Sequence, residues 1–120
     1  MNGIITILTD LAINMRNGID EDWVKSVLYI EVQKGFSSYK GEYFKSAEGQ
    51  GNSIRVSKFD YKIDTDLIEL HRLTQEEAAL MHKKWNRAIF TLLFDNSFEI
   101  EYIWDQEIQD QVDGYNNEII

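Results

Sequence analysis

Glu99 and Glu101 stand two residues apart in a segment with strand-like alternation, so both carboxylates project to one side, as a general acid and base would need to. A working acid–base pair requires one member desolvated to raise its pKa, usually inside a cleft. The residues expected across from them, Leu93 and Thr91, offer a weakly polar, open surface instead. The pair therefore reads as a solvated acidic face, whose functional version is contact with a partner and not hydrolysis. His71 and His82 share a face only if one helix runs through both, and no third ligand stands at a recognised spacing, so no metal is expected and each histidine is read as a surface or capping residue. Gly49-Gln50-Gly51 lacks the Gly-Lys-Ser/Thr ending of a phosphate cradle and reads as a turn. No serine sits in a G-x-S-x-G elbow. No catalytic residue and no cofactor is expected.

Composition narrows the field in the same direction. The sequence has 120 residues, enough for a core without disulfides or metals, and it has no cysteine. Net charge is -9 and unevenly placed: residues 1–60 hold 8 acidic and 7 basic side chains, residues 61–120 hold 13 and 5. From Phe98 onward there are seven acids (Glu99, Glu101, Asp105, Glu107, Asp110, Asp113, Glu118) and no Lys or Arg. Such a field repels phosphate backbones and attracts basic proteins, which argues against direct nucleic-acid binding. The apolar stretch from Met1 to Met15 has no preceding basic residue, contains Asp10, and lacks a small-residue cleavage pattern. It is expected to fold as part of a cytoplasmic protein with no membrane contact.

The elements that would position these residues follow from periodicity. Ile4, Ile5, Leu8, Leu11, Ala12 and Met15 lie on one helix face, with Gly18 as the left-handed residue closing the helix. From Trp23 the period becomes two: Val24, Ser26, Leu28, Ile30 and Val32 face one way, Val27, Tyr29 and Glu31 the other. Lys34-Gly35 marks a turn, Ser38 to Ser46 a second strand, residues 48–52 a loop, and Ser53 to Phe59 a third strand. Thr74 and Glu77 form a capping-box pattern predicting a helix from about Thr74 to Arg87, with Ala78, Leu80, Met81 and Trp85 as its apolar surface. Whether 66–73 is an earlier turn of that helix is left open. Ala88 to Phe94 and Phe98 to Trp104 form a hairpin across Asp95-Asn96-Ser97, pairing Phe94 with Phe98, Leu92 with Ile100, Phe90 with Tyr102 and Ala88 with Trp104 on one face. The opposite face pairs Leu93 with Glu99, Thr91 with Glu101 and Ile89 with Ile103.

The expected fold is α+β, a single antiparallel sheet of about five strands in the order helix, three strands, helix, two strands, with the helices packed on one face. One domain spans 1–113, and 114–120 is a polar C-terminal tail. Trp85 and Trp104 fall on expected core faces, Trp23 beside the acidic turn Asp20-Glu21-Asp22 fits core or surface, and Tyr115 is the better candidate for an exposed aromatic.

The segment Trp85-Asn86-Arg87-Ala88-Ile89-Phe90-Thr91-Leu92, followed by Asp95-Asn96-Ser97-Phe98-Glu99-Ile100-Glu101-Tyr102 and Asp105, resembles the C-terminal part of YezG-like immunity proteins. That pattern is a tryptophan before a strand, a short aspartate-rich turn, and a strand of the type Phe/Lys-Ile-acid-Tyr ending in aspartate. The layout of helix, strand meander and second helix before it is similar too. The resemblance implies an antitoxin of polymorphic toxin systems, including contact-dependent growth inhibition, that binds its cognate toxin's C-terminal domain, commonly a nuclease, in the cytoplasm. It supplies no catalytic residues.

Three functions remain in view. The first is an immunity protein whose acidic surface covers a basic toxin domain, with Glu99, Glu101, Asp105, Glu107 and Asp110 as electrostatic contacts and Tyr115 as an aromatic anchor. The second is an acidic adaptor module with another basic partner, separable by gene neighbourhood. The third is a small hydrolase using Glu99 and Glu101 or the histidines, which carboxylate pKa values near those in solution would disfavour. Oligomeric state is open in all three.

Overall fold

In the computed structural model the described residues are 3–33, 36–55, 58–81 and 84–119, with backbone alone for 77–81 and 115–119. The elements are α1 (Gly3–Asn17), β1 (Lys25–Gln33), β2 (Phe36–Phe44), β3 (Asn52–Ile54), α2 (Ile63–Met81), β4 (Arg87–Leu93), β5 (Phe98–Ile103) and α3 (Gln106–Ile119). The strands form one antiparallel sheet in the order β3-β2-β1-β4-β5, so the fold is α+β as the periodicity predicts. None of the described helices is long and apolar enough to cross a membrane.

One face of the sheet is covered and the other is not. Ser26, Leu28, Ile30 and Val32 on β1 and Ala88, Phe90 and Leu92 on β4 are buried beneath α1 and α2, in one cluster with Ile4, Leu8, Leu11, Met15, Ile63, Leu67 and Leu70. The α1 stripe runs through Ile7, and Ile5 points outward at 52% exposure. Gly18 does not adopt the left-handed conformation expected of it. It is small because a Cβ there would sit 3.0 Å from Ile54 Cγ2, where the chain passes under the sheet edge.

Three boundaries differ from the sequence reading: the third strand is shorter, the second helix starts earlier, and that helix ends at Met81 instead of near Arg87, which leaves Trp85 outside its apolar surface. The third strand stops at Ile54, and Phe59, expected at its end, is buried edge-on against Tyr39. The second helix begins eleven residues before Thr74: Asp60 is its cap, accepting the Lys62 N–H at 2.9 Å, and Asn14 Oδ1 accepts the Asp60 N–H at 2.7 Å. Thr74 therefore lies in mid-helix, its hydroxyl directed at the Leu70 carbonyl at 2.8 Å while it accepts the Trp85 indole N–H at 2.7 Å. The segment 66–73 is helical. Of the apolar surface expected for this helix, the side chains of Ala78, Leu80 and Met81 lie outside the described residues, as do His82 and the Lys34-Gly35 turn.

The β4–β5 hairpin keeps the expected faces but shifts register by two. Leu92 pairs with Phe98, Phe90 with Ile100 and Ala88 with Tyr102. The loop is Phe94-Asp95-Asn96, one residue earlier than expected, closed by Leu93 N–H to Ser97 O at 2.8 Å, with Asn96 at φ 76°. Asparagine tolerates that left-handed position. Phe94 leaves the ladder and packs edge-on against Trp23, with the Arg16 guanidinium 4.9 Å over the Trp23 ring. Trp104 falls past the strand end and is 43% exposed, contrary to its expected core position. Trp85 is buried, stacked against Tyr102, with His71 Nε2 donating to its carbonyl at 2.9 Å. The expected tail from 114 is instead part of α3, which runs from 106 to 119.

Candidate partner-binding face

Period two divides every strand between the helix-covered face and an open one. The open face presents Val27, Tyr29 and Glu31 from β1, Ser38, Lys40 and Glu42 from β2, Arg87, Ile89, Thr91 and Leu93 from β4, and Glu99, Glu101 and Ile103 from β5. Its centre is a shallow basin of about 550 Å³ whose walls include Tyr29, Lys40, Glu42, Arg87, Ile89 and Ile103. Val27 is buried, with Glu42 and Thr91 as its strand neighbours. Tyr29 and Leu93 are exposed.

Charge is distributed unevenly over this face. Toward β2, Lys40 lies 3.7 Å from Glu42, and the Tyr29 hydroxyl leans toward the same carboxylate at 3.4 Å. Partial burial, followed by the charge of Glu42, holds the Tyr29 hydroxyl above the usual phenol range. Arg87 turns toward Asp105 at 3.2 Å. At the β5 edge, Glu99 stands opposite Thr91 and Glu101 opposite Ile89, both exposed and without an ion pair among the described residues. A depression of about 320 Å³ lies beside them, lined by Ile89, Thr91 and Ile100 as well as the two glutamates. The result is an apolar strip bordered by two unneutralised carboxylates.

The other expected contact residues are dispersed. Asp105 is held within the fold: Asn86 brackets its backbone with two 2.8 Å hydrogen bonds, Oδ1 accepts the Ile108 N–H at 3.2 Å, and Oδ2 faces Arg87. It caps α3 and joins that helix to the start of β4. Glu107 and Asp110 are exposed on α3, with Asp110 accepting from Gln106 Nε2 at 2.9 Å. The Tyr115 side chain lies outside the described residues.

The sequence reading put Ile89 and Ile103 on the face of the glutamates but did not count them, or Tyr29, as part of the site, whose apolar floor they form. The signal was the same alternation that revealed the core, read on its other phase. No group of three or more His, Asp or Glu side chains suited to a metal occurs among the described residues. No family model matches the chain, and no curated protein matches it.

Proposed function

We propose that this protein is an immunity protein of the YezG-like kind, not an enzyme, that binds a cognate toxin domain in the cytoplasm and blocks it with the open face of its sheet. The observation that carries the reading is the pair Glu99 and Glu101, exposed on the edge strand beside an uncovered apolar strip. An apolar centre with a charged rim is the usual anatomy of a protein interface. A nuclease toxin presents a basic cleft to its phosphodiester substrate, and carboxylates on a firm sheet complement such a cleft. Glu107 and Asp110 extend the negative field along α3 and act on encounter, while Glu99 and Glu101 make the contact.

The test pairs the protein with the product of the neighbouring toxin gene. Co-purification and rescue of cells expressing that product are expected. The double variant Glu99→Lys/Glu101→Lys should slow association roughly tenfold or more at low ionic strength and flatten its dependence on salt. An association rate unchanged by both salt and charge reversal would reject the acidic-face reading. Rescue failure with a bound basic partner of another kind would favour an adaptor.

A further inference from the structure

The sheet ends on β5, and the phase of its hydrogen bonds decides what that edge offers. Leu93 N–H donates to Ser97 O at 2.8 Å, so the pairs that follow by twos, Thr91 with Glu99 and Ile89 with Glu101, are the ones that exchange main-chain bonds. The other side of β4 gives the same phase. Phe94 N–H donates to Val24 O and Val32 N–H to Asn86 O, which assigns the even-numbered residues of β4 to β1 and the odd-numbered ones to β5. Phe98 and Ile100 therefore turn their N–H and C=O away from β4, at the outer rim of the sheet. No other element bonds to these groups among the described residues. The depression beside the glutamates reaches Ile100 although its side chain packs on the helix-covered side, so the main chain lines it there. The opposite edge strand, β3, has three residues, against six in β5.

Main-chain donors and acceptors that recur at every second residue along a strand are matched by one kind of ligand, another extended main chain. Charge selects among such chains. Glu99 and Glu101 flank Ile100 on the open face, both exposed and outside every ion pair of the described residues, and no Lys or Arg occurs from Phe98 onward. A strand laid against β5 with one residue opposite Ile100 sets the residues on either side of it opposite the two glutamates, on the same face. Lysine or arginine at both positions forms two cross-strand ion pairs, and an acid at either is repelled. The residue between them falls on the face of Phe98 and Ile100, where an apolar side chain fits.

We propose that the partner adds an extended basic–apolar–basic segment to β5 as one more strand of the sheet, its main chain bonded to Phe98 and Ile100 and its two cations set against Glu99 and Glu101. This rests on the toxin-binding reading for the identity of the partner, and it names the part of the toxin domain that the acidic edge takes up.

The probe is the capped peptide acetyl-valyl-lysyl-valyl-lysyl-valinamide, added to the full chain labelled with ¹⁵N. At saturation, hydrogen exchange at the Phe98 and Ile100 amides should slow about tenfold or more, while the Glu99 and Glu101 amides, already bonded to β4, keep their rates. Methylating the central valine nitrogen preserves charge and side chains but removes the donor aimed at Ile100, and should weaken binding about tenfold. Exchanging the order to valyl-valyl-lysyl-lysyl-valinamide sends the cations to opposite faces and should weaken it about threefold. Equal binding of all three peptides would reduce the contact to charge attraction and overturn the proposal. So would absence of binding, unchanged exchange at Ile100, or concentration-dependent protection of the same amides in the free chain, which would give the edge to a second copy. Capture of the toxin gene's product with the Ile100 amide still exchanging freely would overturn the added strand and keep the toxin reading. Strand pairing with the peptide but no capture of that product would keep the strand site and overturn the toxin reading.

Discussion

Trp85 shows how much one side chain can be asked to organise. It is almost fully buried just before β4, and its indole N–H is satisfied by a threonine hydroxyl from the middle of a helix. Thr74→Val keeps the volume and removes the acceptor, so it should cost about 1–3 kcal/mol in urea denaturation, the penalty of a stranded buried donor. Two aspartates respond to pH in opposite senses. The Asp95 carboxyl is held below its usual range by the Ser97 hydroxyl and then the Ser97 N–H. Its support of the hairpin is therefore present above about pH 4 and is lost as pH falls through the folded value. Asp66 is pushed up by burial and then by Asp10 and Asp60. Its folded form favours the proton, so this contribution is present below the unfolded value and is lost as pH rises through the folded one. Asp66→Asn should consequently raise the melting temperature at neutral pH and leave it nearly unchanged in acid.

At the scale of elements, the joint between α1 and α2 rests on Asp60, which caps one helix and gives its N–H to Asn14 Oδ1 of the other. Asp60→Ala should lower stability by about 1 kcal/mol, measured by the urea midpoint at constant slope. This cap was hidden in the sequence by a stronger-looking signal, Thr74 followed by Glu77, which the tertiary fold uses for Trp85 instead. Strands were more legible than helix starts, because a sheet with one wet face writes its alternation into β1, β4 and β5 directly. Register was less so: a shift of two residues preserves every face, and periodicity is blind to it. The left-handed Asn96 and the Leu93–Ser97 bond mark the alignment that the chain adopts. The candidate site was legible in its charges, since Glu99 and Glu101 needed only the alternation. Its apolar floor adds Tyr29 from β1, distant in sequence from the β4–β5 hairpin, and the use of Asp105 as a cap depends on Asn86 and Arg87, nineteen and eighteen residues away.

For the whole molecule, the division between a covered and an uncovered sheet face sets where stability and recognition reside. Phe90→Ala, in the covered layer, should cost about 3–5 kcal/mol and show in thermal unfolding. Ile89→Ala, one residue away on the open face, should change stability far less while weakening partner capture, read by titration calorimetry. The edge position of β5 has another outcome. An exposed strand is a template on which a second molecule can zip up, and proteins commonly guard it with charge. Were two β5 strands to align antiparallel about Ile100, Glu99 of each would face Glu101 of the other. Sedimentation should thus find dispersed molecules for the natural chain and self-adhesion for the Glu99→Gln/Glu101→Gln variant, so the residues that invite a cationic guest also keep siblings apart.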